Sequence, residues 1–443
     1  MNTRASWPAG RFPAEAALLT DGQQALALRL ALIAGARQRI LLQTYSWESD
    51  RSGNLLLGAL LAAARRGVEV WLLVDDFYAG RNRYLEGLVH EPGVRVRLFN
   101  PFWLRRLRGW SWPLELLCRF RRLNHRMHNK LLVVDEQWAV VGGRNVGDGY
   151  FGLPAPSEFV DLELLLRGDV CRPLAQGFMR YWHSRWSQPL RHLHWWALPA
   201  RLAAAQNAFL LSLTEPDIAD CFALPAAVHS GCWRTLRWHA VQAQVVMDAP
   251  AKAAGGPPRP GAAAGSLLQA LPQVQHSLEM VTPYLVPTRH LYRAWYRLAR
   301  RGVQLRLLTN TLATTDMPLA DAGWQQRRPR LQALGAILHE LRPHGARCLH
   351  AKLALLDGRQ VLMGSLNLDP RSLYLNTELA VLVEGEGLLA DLRDWLAHWQ
   401  APAQSGATAA VGSAAEGALA AWRARWTQWW WRLMGRLPIH HLL

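Results

Sequence analysis

The stretch HNKLLVVD at residues 128–135, followed by GGRN at 142–145, decides how the chain is read, because it occurs twice. HAKLALLD at 350–357 and GSLN at 364–367 repeat it, with His, Lys, Asp, Gly and Asn all displaced by 222 positions. A constant internal offset is the mark of a duplicated unit. Each copy brings a His, a Lys and an Asn toward a common site: His128 with His350, Lys130 with Lys352, Asn145 with Asn367.

The flanking sequence repeats as well. Residues 39–45 (RILLQTY) read as a buried strand, 54–66 as a helix stopped by Gly67, and 68–75 (VEVWLLVD) as the next strand. That order implies parallel pairing through a crossover helix. The second half offers a strand over 278–284, a helix over 289–301 ended by Gly302, and a strand over 303–309. RRGV at 65–68 and at 300–303 is offset by 235, so the first half carries 13 extra residues ahead of its His. They fall in or near 100–126, which holds seven arginines together with Trp103, Trp110 and Trp112. Each His–Lys stretch reads as one arm of a hairpin, 130–134 returning at 139–141 and 352–356 returning at 361–363. Further strands are expected over 159–166 and 377–383. Residues 14–35 read as an amphipathic helix with a possible break at Asp21 and Gly22, and 172–186 as a helix with Trp182 and Trp186 in the core. The Pro/Gly/Ala-rich segment 252–265 reads as a flexible loop and 401–415 as a low-complexity linker.

Composition narrows the class. With 443 residues the chain has room for two domains, and 50% hydrophobic with 19% charged residues is a globular balance. A net charge of +17 points to anionic partners: phosphate-bearing substrates, an anionic membrane surface or nucleic acid. Twenty-two Trp residues shift that balance toward a membrane interface, where indole rings sit at headgroup level. The five cysteines, Cys118, Cys171, Cys221, Cys232 and Cys348, lack zinc-type spacing and suit a reducing compartment. The start of the chain shows no apolar signal core, and the apolar run 26–42 is broken by Arg29, Arg37 and Arg39, so membrane contact is expected to be peripheral. In the tail, Trp422, Trp426, Trp429, Trp430, Leu433 and Leu437 share one helical face edged by arginines, which suits either an interfacial helix or one docked on its own domain.

On a strand, residues i and i+2 share a face, so each His points with its Lys while Asp135 and Asp357 face away and are read as structural, with Gly142, Gly143 and Gly364. Two imidazoles, two ammonium groups and two amides, with no metal-binding cluster and no cofactor motif, suit displacement at a phosphodiester. One His attacks phosphorus and forms a phosphohistidine; the other protonates the leaving alkoxide and then deprotonates the incoming nucleophile. Lys130, Lys352, Asn145 and Asn367 hold the non-bridging oxygens. Each His needs a carboxylate on its other ring nitrogen, and Asp161 and Glu378, which open DLELLL and ELAVLV, are the candidates.

These motifs, with RMHNK, GGRNVGDGYF, VTPYLVP, GSLNLDPRS and LNTE, resemble the phospholipase D superfamily in its duplicated single-chain form, and within it bacterial cardiolipin synthases of the C type. The resemblance implies an α/β fold of two phospholipase-D-like halves, each a mixed β-sheet flanked by helices, packed as a pseudo-twofold pair with the site at the seam. The corresponding division is 1–195, a connecting segment 196–237, a second half 238–400, a linker 401–417 and a Trp/Arg-rich segment 418–443. It implies phosphatidyl transfer to phosphatidylglycerol, with phosphatidylethanolamine as a donor, His128 as nucleophile and His350 as acid. Ser365 is the phosphate-contacting hydroxyl of the motif, and Gly143 stands at its counterpart, so that contact would be one-sided. A monomer acting as an internal pseudo-dimer, held peripherally on the cytoplasmic face of the bacterial inner membrane, is the expected form. Hydrolysis by a phospholipase D, or attack on nucleic acid by a phosphodiesterase of the same superfamily, would use the same residues.

Overall fold

The computed structural model describes residues 10–79, 84–85, 87–102, 118–193, 236–255, 259–401 and 405–406. The part of the insert that holds Trp103, Trp110 and Trp112, nearly all of the connecting segment 196–237, most of the linker 401–417 and the whole tail 418–443 lie outside the described residues.

The first half runs β1 (Phe12–Leu19), α1 (Gly22–Gly35), β2 (Arg39–Thr44), α2 (Arg51–Arg65), β3 (Glu69–Asp75), β4 (Val94–Phe99), β5 (Leu131–Val134), β6 (Trp138–Gly142), β7 (Glu158–Val160), β8 (Glu163–Gly168), α3 (Cys171–Trp182) and β9 (Ser187–Pro189). The second half runs β10 (His239–Met247), α4 (Ala262–Ala270), β11 (Ser277–Val281), α5 (Arg289–Arg300), β12 (Gln304–Thr309), α6 (Pro318–Gln332), β13 (Ile337–Leu341), β14 (Arg347–Leu349), β15 (Leu353–Leu356), β16 (Gln360–Gly364), β17 (Leu379–Glu384), α7 (Glu386–Gln400) and β18 (Ser405–Gly406). Sixteen strands form one sheet in the order β9-β4-β3-β2-β5-β6-β8-β1, then β10-β17-β16-β15-β11-β12-β13-β18. The second series is the first read backwards, so the halves meet at the antiparallel β1–β10 pair about a pseudo-twofold axis. The crossover units β2-α2-β3 and β11-α5-β12 are parallel, as the sequence order implies. One core crosses the seam: Phe178 and Trp182 of α3 share it with Leu388, Leu392 and Trp395 of α7.

Local chemistry explains the two hairpins. Asp135 and Asp357 sit in the turns with φ of 53° and 50°. The Asp135 carboxylate accepts the backbone N–H groups of Arg37, Gln38 and Arg39, each at 2.8 Å, and so ties the hairpin to the start of β2. Asp357 does the same for Gln275, His276 and Ser277 ahead of β11. Glycine is required where strands crowd: a Cβ on Gly142 would lie 2.4 Å from the Glu163 side chain, and one on Gly364 would lie 2.2 Å from the Leu379 carbonyl.

The structure corrects three expectations. Residues 14–35 are not one helix; the helix begins at Gly22, capped by Asp21, whose carboxylate accepts Gln24 N–H. Before it, the Ala/Leu-rich FPAEAALL has helical propensity but becomes the central strand, because β8 and β10 pair with both of its edges. Trp186 lies beyond the end of α3, although it is buried like Trp182. Segment 252–265 is not one loop, since a 3₁₀ turn (Pro250–Ala254) and the start of α4 flank residues 256–258. The organiser there is the buried Asp248, which accepts Ala263 N–H at 2.9 Å and Lys252 Nζ at 2.7 Å. In the linker, Ser405 and Gly406 pair with β13 as β18.

Candidate active site

Backbone pairing between the halves places each histidine. In the first half, Met127 forms a parallel bridge with Thr377, and His128 N–H donates to the Thr377 carbonyl at 2.9 Å. In the second, β14 pairs in parallel with β7 of the other half, and His350 N–H donates to the Val160 carbonyl at 2.8 Å. The next residue along each partner segment is a carboxylate. His128 Nδ1 lies 3.0 Å from Glu378 Oε2, and His350 Nδ1 lies 2.6 Å from Asp161 Oδ2. Each half thus orients the other half's imidazole. The approach to each His is anchored at the end of a strand. Asp75 of β3 accepts Met127 N–H at 2.8 Å, and Asn310, just past β12, accepts Leu349 N–H at 2.8 Å.

Electrostatics follow from burial. Both imidazoles are pushed from 6.5 down to about 4, mainly because burial disfavours the charged ring, with the nearby ammonium groups adding to the shift. Burial works against the carboxylates too, but Lys352 and His350 outweigh it at Asp161, and His128 and Lys130 outweigh it at Glu378, so both stay below their ordinary range. A neutral ring beside an anion donates from Nδ1, which leaves the Nε2 lone pair free to attack phosphorus or take a proton. Burial also lowers Lys352 to about 8, and Lys130 well below an ordinary ammonium. A phosphate anion bound among these groups would stabilise all of the cations.

Lys130 Nζ donates to the His128 carbonyl at 2.8 Å, and Lys352 Nζ sits 2.8 Å from His350 Nδ1 while donating to the His350 carbonyl. Asn145 and Asn367 are buried, and the Oδ1 end of each amide has no hydrogen-bond partner. Since the two ends of an amide interchange by a flip, each free end is available as an N–H donor to phosphate. Ser365 departs from the expectation of a phosphate contact. It is fully buried, and its hydroxyl donates to Glu378 Oε2 at 2.5 Å and accepts Leu379 N–H at 3.0 Å. At the counterpart Gly143 a Cβ would stand 2.5 Å from Asp161 Oδ1, so the shorter carboxylate occupies the space that a serine side chain would need.

Several neighbours carry no sequence signal of their own. Tyr45 stands edge-on to His128 at 5.1 Å between centroids, and Tyr150 and Phe159 stand edge-on to His350 at 5.1 and 5.2 Å. Asp248 braces Glu378 by accepting its N–H at 3.1 Å. Only an offset comparison, Asp75 against Asn310 at 235 positions, would have drawn attention to the strand-end anchors. His128, His350, Asn145 and Asn367 line one cavity of about 1050 Å³. Arg126, Asn124 and Arg371 line it together with the carboxylates Glu48, Asp50, Asp148, Asp316 and Asp369. The Asp316 charge reaches His350 and Lys352.

Residues 30–159 and 267–399 each match the family model described as "Cardiolipin synthase, PLD-like domain". The chain belongs to the phospholipase-D-like cardiolipin synthase family. It is a phosphatidyltransferase of the phospholipase D superfamily, acting on phospholipids. It is 35% identical to cardiolipin synthase C of Escherichia coli K12 over 414 residues, covering 86% of this chain and 82% of that one. Cardiolipin synthase B of Shigella flexneri is 27% identical over 88% of this chain and 81% of its own. Among solved structures, phosphatidylserine synthase of Haemophilus influenzae Rd KW20 shares the fold, with a TM-score of 0.66, 14% identity and coverage of 97% and 96%.

Proposed function

We propose that this phosphatidyltransferase makes cardiolipin, moving a phosphatidyl group from a donor phospholipid to the glycerol hydroxyl of phosphatidylglycerol through a phosphohistidine. The observation that carries this reading is the crossed pair of imidazoles, His128 on Glu378 and His350 on Asp161, on the wall of one cavity. His128 Nε2 attacks phosphorus, the P–O bond to the headgroup breaks, and His350, which takes a second proton on Nε2 when the bound phosphodiester anion stabilises its charged form, gives that proton to the departing oxygen. His350 then takes the proton of the phosphatidylglycerol hydroxyl, whose oxygen attacks phosphorus as the P–N bond to His128 breaks. Lys130, Lys352, Asn145 and Asn367 hold the non-bridging oxygens, and Ser365 and Asp248 act indirectly by fixing Glu378.

The carboxylates on the cavity wall, among them Asp316 whose charge reaches His350, suit a donor whose headgroup carries an ammonium, which favours phosphatidylethanolamine. No helix among the described residues is long and apolar enough to cross a membrane. We place the protein as a monomer at the cytoplasmic face of the inner membrane, held by its net charge of +17, each basic residue near the surface contributing about 1 kcal/mol. The test is incubation with labelled phosphatidylglycerol in vesicles, with and without phosphatidylethanolamine. Cardiolipin, faster with phosphatidylethanolamine, is the expected product; phosphatidic acid alone would make the enzyme a hydrolase.

A further inference from the structure

Beside the reaction cavity lies a second one of about 1360 Å³, and the two share Phe120 and Asn124 as a common wall. Its lining is basic. Arg289 and Arg293 come from α5, Arg327 and Arg330 from α6, and Arg121 from the segment ahead of His128, while no Asp or Glu among the described residues lines it. Arg328, one position along α6, has Glu340 at 2.8 Å. By contrast, Arg121, Arg289, Arg293 and Arg330 have no hydrogen-bond or ion-pair partner among the described residues.

This arrangement works against helix stability. Arg289 and Arg293 are four apart on α5 and Arg327 and Arg330 three apart on α6, spacings at which like charges repel. The strain is felt at Arg327, whose guanidinium is lowered first by burial and then by Arg330. An anion among them would relieve the repulsion, and guanidinium forks match phosphate oxygens in pairs. Nor is the cavity purely polar. Phe120, 39% exposed, lines both chambers, and with Tyr292 and Tyr374 it gives an apolar surface beside the arginines, as a lipid would need. Asn124 lines both cavities, and Arg371, on the reaction side, donates to its Oδ1 at 2.7 Å.

The reaction proposed above needs two phosphodiesters at once. One is at the histidines; the other belongs to the attacking phosphatidylglycerol and ends up a single glycerol away in the product. We propose that the second cavity is the phosphate subsite of the acceptor lipid, its phosphodiester held by Arg289, Arg293, Arg327 and Arg330 while its glycerol hydroxyl reaches past Asn124 to the phosphohistidine. This assignment rests on the cardiolipin-forming reading. It explains how an acceptor is selected over water: only an alcohol carried on an anionic lipid is anchored there.

The test compares the full chain with its Arg289→Gln/Arg293→Gln/Arg330→Gln variant on mixed vesicles of phosphatidylethanolamine and phosphatidylglycerol. The ratio of cardiolipin to phosphatidic acid formed is read at several mole fractions of phosphatidylglycerol. The ratio is expected to fall at least tenfold in the variant, with higher phosphatidylglycerol restoring part of it, and the corresponding Arg→Lys variant should lie between the two. A merely structural loss would lower both products together, and an unchanged ratio would overturn the proposal. Inorganic phosphate in the millimolar range should compete with phosphatidylglycerol in the wild type and do so less in the variant. Equal inhibition of both would place its binding at the histidines and also count against the subsite. Should the wild type form no cardiolipin, the reading of the reaction fails. Calorimetric titration of both proteins with inorganic phosphate then decides separately whether the arginines bind an anion, and equal heats would remove the subsite as well.

Discussion

At the scale of single residues, burial sets the protonation of the site and the crossed carboxylates set its direction. Glu378→Gln keeps the shape but removes the anion that selects the Nδ1–H tautomer of His128. By analogy with the third member of a hydrolase triad, kcat should fall about 10³–10⁴-fold with KM little changed. Steady-state kinetics would check this, and a loss below tenfold would show that His128 does not depend on that partner. The imidazoles also make a pH prediction. Their pKa is pushed from 6.5 to about 4, so between those values the unfolded chain binds protons that the folded one does not. Stability therefore drops as pH falls through that window, by about 1.4 kcal/mol per pH unit for each ring. Denaturant midpoints measured from pH 6.5 to 4.5 should fall less steeply in a His128→Gln/His350→Gln variant than in wild type; parallel curves would mean the rings are not held neutral.

At the scale of elements, the site is made by strands that pair across the seam. The strand–helix–strand units and both hairpins were legible because buried apolar runs of strand length alternate with helices ended by Gly67 and Gly302, which adopt φ of +93° and +80°. The His, Lys and Asn positions were legible because they repeat in register, and the two carboxylates because they open equivalent strands. Which carboxylate serves which His was not, since that depends on pairing between residues more than 180 positions apart, Asp161 with His350 and Glu378 with His128. The role of Ser365 was hidden for a different reason: its partners, Glu378 and Leu379, are near in sequence, but they reach its hydroxyl only through the way β16 and β17 pair. β1 was misread because FPAEAALL has no period-two pattern; buried on both faces and paired on both edges, it needs none. That position gives a prediction. Ala16 is fully buried in β1 and paired on both edges, so Ala16→Pro removes a ladder donor from a central strand and should cost about 3 kcal/mol or more. Ala16→Gly, which keeps the N–H, should cost about 1 kcal/mol. Thermal melts of the two variants would distinguish them, and equal small losses would contradict the central placement of β1.

At the scale of the whole molecule, the twofold is approximate where the chemistry needs inequivalence. The imidazole served by Glu378 has a serine bracing its carboxylate, whereas the one served by Asp161 has Gly143 behind it. Asp75 and its ion pair with Arg126 at 3.1 Å lie beneath the approach to His128, and the neutral Asn310 takes the equivalent place near His350. Negative charge from Asp316 reaches His350. These differences fit a division into a nucleophile and an acid–base. The direct test is a single-turnover reaction of the His350→Ala variant with a 4-nitrophenyl phosphodiester of diacylglycerol, whose leaving group needs no proton. The account predicts a burst of about one equivalent of nitrophenolate per enzyme, and a phosphatidyl adduct on the peptide containing His128 by mass spectrometry. Steady release without any adduct, or an adduct on a different residue, would contradict it.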